Sequence, residues 1–339
     1  MDLTFLGTSG GTPTKTRNVT GLALAHGRPR QWYLIDCGEG TQHRLLHTPL
    51  SVMQLRAIFI THVHGDHTFG LPGLLTSASM LGRTEPLHLV APRPVQAFVA
   101  AALANSDSTL GYDLVHQDSE APGFQWQDDA VSVTAVPLSH RVPCHAFVFT
   151  ERNPERRLCQ ARLIADGIEP GPAWGELQRG RDLVLDDGRV LYSDDYTEIA
   201  RPARKIVVGG DNDSPERLAA ACTGAQVLVH EATYTQAVAD RVGSWPQHSS
   251  AAQVARFAQS AALPNLVLTH FSSRYQDRPG ARPHIGELEA EARQWYRGNL
   301  VLARDLATFR LEKDLTLRDV TPPAGRGRTR PDAGIQPPP

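Results

Sequence analysis

A chain of 339 residues is long enough to bury a substantial core, in one large domain or two fused halves. Hydrophobic residues make up 41% and charged residues 21%, with a formal net charge of -2; this is the balance of a soluble globular protein and not of a dedicated, basic nucleic-acid binder, so any RNA contact requires locally concentrated cations. Cys37, Cys144, Cys159 and Cys222 are widely spaced with no CxxC pair, against both a disulfide framework and a Cys-type zinc site; with no apolar run of transmembrane length and no secretory-type start, the expected setting is cytoplasmic.

Residues 3–6 read as a strand that runs into a glycine-rich turn at residues 7–11. Alternating runs at residues 19–25 and 32–36 follow, and connections this short predict an antiparallel meander. Between the first two lies Pro13-Thr14-Lys15-Thr16-Arg17-Asn18. Lys15 and Arg17 there are either simply solvated or a phosphate contact. Asp36 closes the third strand, where burial without a partner is expensive. Either it accepts a hydrogen bond from a neighbouring histidine or amide, or it is an exposed turn residue.

The short apolar run Ala57-Ile58-Phe59-Ile60 leads into Thr61-His62-Val63-His64-Gly65-Asp66-His67. Three imidazoles and a carboxylate crowded into one turn compete for solvation and repel as cations unless a metal or carboxylates organise them. Neutral imidazole and carboxylate suit Zn, Mn or Fe, so a metal site is expected at the C-terminal edge of this strand. Residues 68–81 then read as a helix, 87–90 as a strand, 95–104 as an alanine-rich helix, and 112–115, 131–137 and 145–150 as strands. His140 lies just past one of these strands and is a long-range candidate ligand, while His145 precedes an apolar strand and reads as structural.

Residues 151–200 change character. Pro170-Gly171-Pro172 forbids a continuous helix or central strand, and residues 179–191 read as a hairpin turning at Asp187-Gly188. The segment reads as a protruding insertion whose arginines and Trp174 form either a surface for an RNA backbone or an ordinary solvated hairpin. Beyond it, apolar runs end at Asp211, at His230-Glu231 and at His270, with a helix over 249–260 preceded by His248. In layered α/β proteins functional groups gather at strand C-termini, so these should converge with the 62–67 turn on one edge. His62, His64, Asp66, His67, His140, Asp211 and His270 exceed what one tetrahedral ion needs and suit two ions sharing a bridging Asp.

The His62-Val63-His64-Gly65-Asp66-His67 run with its downstream His, Asp and His resembles the metallo-β-lactamase superfamily. The Pro13-x-Lys15-x-Arg17-Asn18 segment, Phe69-Gly70-Leu71-Pro72-Gly73-Leu74-Leu75, Pro170-Gly171-Pro172 and His230-Glu231-Ala232-Thr233 narrow the resemblance to the tRNase Z (ribonuclease Z) family of short-form 3′-tRNA-processing endoribonucleases. The resemblance implies a four-layered αβ/βα sandwich over residues 1–320, a tRNA-gripping arm inserted at 152–198, and a homodimer without membrane attachment. The stretch 321–339 has no family counterpart and reads as a disordered tail. Two Zn2+ per subunit are implied, with Mn2+ or Mg2+ as alternatives. His62, His64 and His140 would hold one ion, Asp66, His67 and His270 the other, and Asp211 would bridge.

The implied reaction is removal of the 3′ trailer from precursor tRNA by attack of a metal-activated hydroxide, leaving a tRNA 3′-hydroxyl. Asp66 would orient or deprotonate the water, and His248, supported by Glu231, would protonate the leaving oxygen. Lys15, Arg17 and Arg274 match positions near the scissile phosphate or acceptor end, and Pro170, Gly171 and Pro172 the arm. Two departures stand out: Gly209-Gly210-Asp211-Asn212 replaces the more usual Ser-Gly-Asp-Thr, and the arm carries Arg but no Lys. The rival reading is a hydrolase of the same fold acting on a small ester or phosphodiester.

Overall fold

The computed structural model describes residues 1–27 and 31–323; the expected tail lies outside them from residue 324 onward. The predicted meander forms, with β1 (Asp2–Gly7), β2 (Gly21–His26) and β3 (Gln31–Ile35) pairing antiparallel in that order. β3 then pairs in parallel with β4 (Leu55–Phe59), and β5 (Leu87–Ala91) and β6 (Leu114–Asp118) extend the parallel half. Parallel neighbours need long crossovers, and the helices Leu71–Met80 and Arg93–Asn105 lie within two of them.

The second sheet repeats the plan. β7 (Gln125–Gln127), β8 (Val131–Pro137), β9 (His145–Glu151) and β10 (Lys205–Val208) are antiparallel neighbours. β11 (Val227–Glu231), β12 (Asn265–Thr269) and β13 (Asn299–Leu302) are then added in parallel. β14 (Thr308–Leu311) and β15 (Leu317–Asp319) return to the outer side of β1 and complete an eight-stranded first sheet beside the seven-stranded second.

Strand side chains alternate faces, and the sequence exploits it. Ala57 and Phe59 of β4 point into the space between the sheets, while Ile58 and Ile60 point outward beneath the helices Leu71–Met80 and Arg93–Asn105. On the second sheet Phe147, Phe149, Val229 and Val267 face inward, and Ala146, Val148, Leu228 and Leu268 face the helices Ala251–Ser260 and Gly286–Ala292. The result is four layers, helix, sheet, sheet and helix. Phe59 packs edge-on or tilted against Trp126, Phe147 and Phe149 at ring separations of 5.4, 5.2 and 5.1 Å. Such pairs contribute about 0.5–1.5 kcal/mol each beyond burial, so the end of β4 is pinned to the opposite sheet just before the His62–His67 turn begins.

The helix expected over 68–81 is interrupted. Two helices, Gly65–Thr68 and Leu71–Met80, flank a break at Phe69 and Gly70. Pro72 sits in the first turn of the second helix, where its missing N–H is harmless; one turn further in, its ring would clash with a carbonyl. The break lets Gly70 approach the neighbouring loop so closely that a Cβ there would lie 2.3 Å from the Gly38 carbonyl oxygen.

Between β9 and β10 the chain leaves the sandwich. Strands Arg156–Leu158 and Thr197–Ile199 pair antiparallel at the base. Helices Gln160–Ala165 and Pro172–Gln178 lie beyond them, and the hairpin of Leu183–Val184 with Val190–Leu191 forms as predicted, Gly188 adopting φ +86° in its turn. Leu163, Ile168, Leu177, Leu191 and Tyr196 make a small core of their own, with half-buried Trp174 against it. At the neck, buried Glu151 accepts hydrogen bonds from Arg201 Nη1 at 2.6 Å and from Arg204 Nη2 at 2.7 Å. One carboxylate thereby joins the last residue of β9 to the returning chain.

Candidate metal centre

The ends of the parallel strands place the site. β4 delivers His62, His64, Asp66 and His67; the turn after β8 delivers His140; β10 and β12 end beside Asp211 and His270. The two sheets are joined here, because the His145 N–H opening β9 donates to the Thr61 carbonyl at 3.0 Å. Gly210 permits the contact, since a Cβ there would lie 2.7 Å from both Cys144 Sγ and Thr61 Cβ. The backbone is also strained at the site: Asp36, Gln247 and His270 adopt φ of +58°, +54° and +56°. Non-glycine residues in the left-handed region cluster where surrounding structure enforces an unusual side-chain direction.

Two donor groups result, and Asp211, His248 and His270 form a third set that overlaps them. In the first, His62 Nε2 and His140 Nε2 lie 3.0 and 3.1 Å from His64 Nδ1, with Asp211 Oδ2 at 3.6 Å from His62 Nε2. In the second, His67 Nε2 lies 3.3 Å from His270 Nε2, and Asp66 Oδ2 is 3.5 and 3.3 Å from those same nitrogens. Asp211 Oδ1 completes that group at 3.5 Å from His67 Nε2 and 3.3 Å from His270 Nε2. Asp211 therefore directs one oxygen to each group.

The outward nitrogens fix how the inward ones behave. His67 Nδ1–H donates to Asp36 Oδ2 at 2.7 Å, and His140 Nδ1–H to the Gln247 carbonyl at 3.1 Å. His62 Nδ1 contacts Thr61 Oγ1 at 3.0 Å and His270 Nδ1 contacts Thr233 Oγ1 at 3.1 Å. With Nδ1 engaged, His67 and His270 meet through Nε2 at 3.3 Å, while His62 and His140 direct Nε2 at His64 Nδ1 at 3.0 and 3.1 Å. Ring nitrogens this close repel whether they carry lone pairs or protons, and a cation between them removes the repulsion; the donor set of imidazole and carboxylate fits a divalent transition metal.

The electrostatics agree. Burial and the facing imidazoles push His62 well below its ordinary value. Burial also opposes a charge on His67, but Asp66, Asp36 and Asp211 outweigh it and raise His67 well above normal. Opposite shifts in one residue type within one pocket mark a place built around charge. Beside both groups, His248 Nδ1 lies 2.9 Å from Glu231 Oε1. Burial works against a charge on His248, yet Glu231 and Asp211 raise it to about 9, and His248 in turn helps hold buried Glu231 down at about 2. Glu231 is itself held by the Asn212 N–H at 2.9 Å and by Thr233.

Of the expected RNA-facing residues, Lys15 and Arg274 are exposed, as are Pro170, Gly171 and Pro172. Arg17 is placed differently: it is buried, its Nη1 donating to Asp277 Oδ1 at 2.6 Å and its Nη2 to the Tyr275 carbonyl. It braces the 13–18 loop from one side while Asp305 accepts the Asn18 N–H at 2.7 Å from the other, leaving Lys15 at the apex. Asp36 is buried and engaged with His67. Sequence reasoning did not find Thr61, Thr233, Gln247 or Asp305. Thr61 and Thr233 carried a signal in their adjacency to ligand-bearing turns; the Gln247 carbonyl carried none, because a backbone acceptor leaves no trace in residue type.

A helix, sheet, sheet, helix sandwich with its donors where the sheets meet is the architecture of metallo-β-lactamase-fold proteins. YhfI of Bacillus subtilis, one of these, matches with a TM-score of 0.61 at 17% identity over 91% of this chain and 98% of its own. That assigns the fold class, and the centre is a metal-binding one of that class. A family model described as "Anti-Pycsar protein Apyc1" matches residues 1–113, the meander and the first metal turn but only a third of the chain. Ribonuclease Z of Marinobacter nauticus is 68% identical over 94% of this chain and 99% of its own length, and ribonuclease Z of Pseudomonas putida strain W619 is 56% identical over 95% and 99%. The chain belongs to the ribonuclease Z family. The crystal structure of human tRNase Z, short form, matches with a TM-score of 0.63 at 26% identity over 92% of this chain and all of its own.

Proposed function

We propose that this chain is a metal-dependent endoribonuclease of the cytoplasm that removes the 3′ trailer from precursor tRNA and leaves a tRNA 3′-hydroxyl. The observation that carries the reading is Asp211 facing two donor groups, one oxygen to each, with His248 and Glu231 alongside. His62, His64 and His140 would hold one Zn2+, Asp66, His67 and His270 a second, and Asp211 would bridge them, with Mn2+ or Mg2+ as alternatives. Such a pair supplies Lewis-acid activation of water and neutralises charge on a phosphodiester.

The protein's own groups complete the chemistry. Asp66, tied to the glycine-rich turn through the Gly11 N–H at 2.7 Å, has a fixed direction and would orient the attacking water and accept its proton. His248, kept protonated by Glu231, would donate a proton to the leaving oxygen. Asp36 would hold His67 in place. Lys15 and Arg274 would contact the phosphate backbone, and Arg17 would act through the loop it braces. The segment 152–198, with Pro170, Gly171 and Pro172 at its exposed side, would grip the body of the tRNA. Leu46, Phe69, Met80 and Leu81 are exposed apolar side chains on one helical layer, an arrangement that supports a homodimer. The test is incubation of the metal-loaded protein with a 3′-extended precursor tRNA, mapping cut position and end groups. A single cut at the trailer junction with a tRNA 3′-hydroxyl is expected, and an uncut precursor would remove the reading.

A further inference from the structure

Trp245 is 74% exposed. It stands three residues before His248, in a turn closed by the Gln247 N–H on the Ser244 carbonyl at 3.1 Å. The same Gln247 offers its carbonyl to His140 Nδ1, so the turn that presents Trp245 is anchored to the metal centre itself. The guanidinium of Arg141, the residue after His140, lies over the Trp245 ring at 4.4 Å from its centroid. A cation covers one face of the indole, and the side chain as a whole stays 74% exposed. Pro246 and the left-handed Gln247 restrict the turn's backbone.

We infer that Trp245, braced by Arg141, is a stacking platform for an unpaired nucleobase flanking the scissile phosphate. The inference rests on the endoribonuclease reading given above and adds a residue to it. An exposed indole is normally free to change rotamer; here the contact with Arg141 restrains it and lowers the entropy lost when a flat partner arrives. Stacking is open to every base, because each has a π-face, whereas Arg141 adds a cation close to the phosphate backbone on the same side. Trp245 and His248 share one short segment, so a base seated on the indole sets the distance of its own phosphate from the imidazole. Trp245 is a positioning and specificity residue and touches no reacting atom.

The test compares the metal-loaded wild type with Trp245→Ala, Trp245→Phe and Arg141→Ala on a 3′-extended precursor tRNA. Substrates carry either natural nucleotides or a single abasic site on one side or the other of the scissile phosphate. Trp245→Ala should raise KM about tenfold or more with a smaller change in kcat, Trp245→Phe should recover most of the loss, and metal content should be unchanged. The decisive comparison is the abasic one: removing one flanking base should weaken the wild type about tenfold and leave Trp245→Ala indifferent. Equal sensitivity of wild type and Trp245→Ala to the missing base at both positions would overturn the platform, while cleavage of the natural precursor by the wild type would keep the endoribonuclease reading intact. A wild type that cuts no precursor would instead remove the reading on which the platform rests.

Discussion

The Nδ1–H of His67 donates to Oδ2 of Asp36 across 2.7 Å, and both side chains are buried. Asp36 reaches that position from a backbone at φ +58° and also accepts the Thr61 N–H at 2.8 Å, so it ties the end of β3 to the turn that follows β4. A carboxylate behind a ligating imidazole fixes its tautomer and raises its basicity. Asp36→Ala should therefore lower metal affinity about 10- to 100-fold in a chelator competition. Affinity equal to the wild type would mean that packing alone orients His67.

Glu231 and His248 separate metal binding from proton transfer. Glu231→Gln removes no metal-holding side chain, and His248→Ala removes one only from the overlapping set it forms with Asp211 and His270, leaving the groups around His64 and His67 whole. Both should keep full metal content while lowering kcat on precursor tRNA by about 10²- to 10⁴-fold, with His248→Ala the larger loss. Undiminished turnover in His248→Ala would take this imidazole out of the mechanism.

The neck of the arm gives a pH dependence remote from the metals. Burial pushes the Glu151 carboxyl up, but hydrogen bonds from Arg201, His26 and Arg204 more than reverse this and leave it well below the usual carboxylate range. A carboxyl depressed in the folded state contributes stability that is present above its unfolded value, near pH 4.3, and is lost as pH falls toward the folded one. Glu151→Gln should destabilise the protein by about 1–3 kcal/mol at neutral pH, since two half-buried guanidinium groups, those of Arg201 and Arg204, lose their charged partner. It should also flatten the decline in urea midpoint below about pH 4.5. A variant whose decline matches the wild type would place the acid sensitivity elsewhere.

Replacing residues 156–199 by a short flexible linker leaves the Glu151 pairings and both sheets in place. Cleavage of precursor tRNA should be abolished, while hydrolysis of a small chromogenic phosphodiester continues at the wild-type rate. Parallel loss of the two activities would show that the segment supports the catalytic centre and does not grip substrate.

A Cβ at Gly10 would lie 2.6 Å from the His270 imidazole. Gly10→Ala should displace His270 and weaken the group around His67 while sparing the one around His64, so that, of the two ions proposed, one is lost by elemental analysis. Loss of both ions together would show that the groups fill cooperatively.

The layered architecture and the convergence of the seven donors were legible for one reason: strands leave apolar or alternating runs, and each donor lay past the end of one, His140 after the alternating run 131–137. Asp36 was legible only as a question, because a carboxylate at a strand end is equally at home in a turn. The burial of Arg17 was not legible, since a guanidinium two residues from an exposed lysine gives no sign of the carboxylate at Asp277 that draws it inward. The separate core of the arm was hidden for a different reason. Leu163, Leu177 and Leu191 lie on three short elements whose individual patterns are too brief to show a common face. The break at Gly70 follows from Pro72 in retrospect, although a proline in the first turn fits a continuing helix on one side of it only.

Asp211 and the loops around it have a mechanical consequence. The first donor group draws His62 and His64 from one sheet and His140 and Asp211 from the other; the second draws Asp66 and His67 from one and His270 and Asp211 from the other. Any ion bound in either place is a cross-link between the two halves of the sandwich. A slip of one sheet over the other would disturb both donor groups at once, so the aromatic layer that fixes the sheets against each other also fixes the geometry any ion would meet.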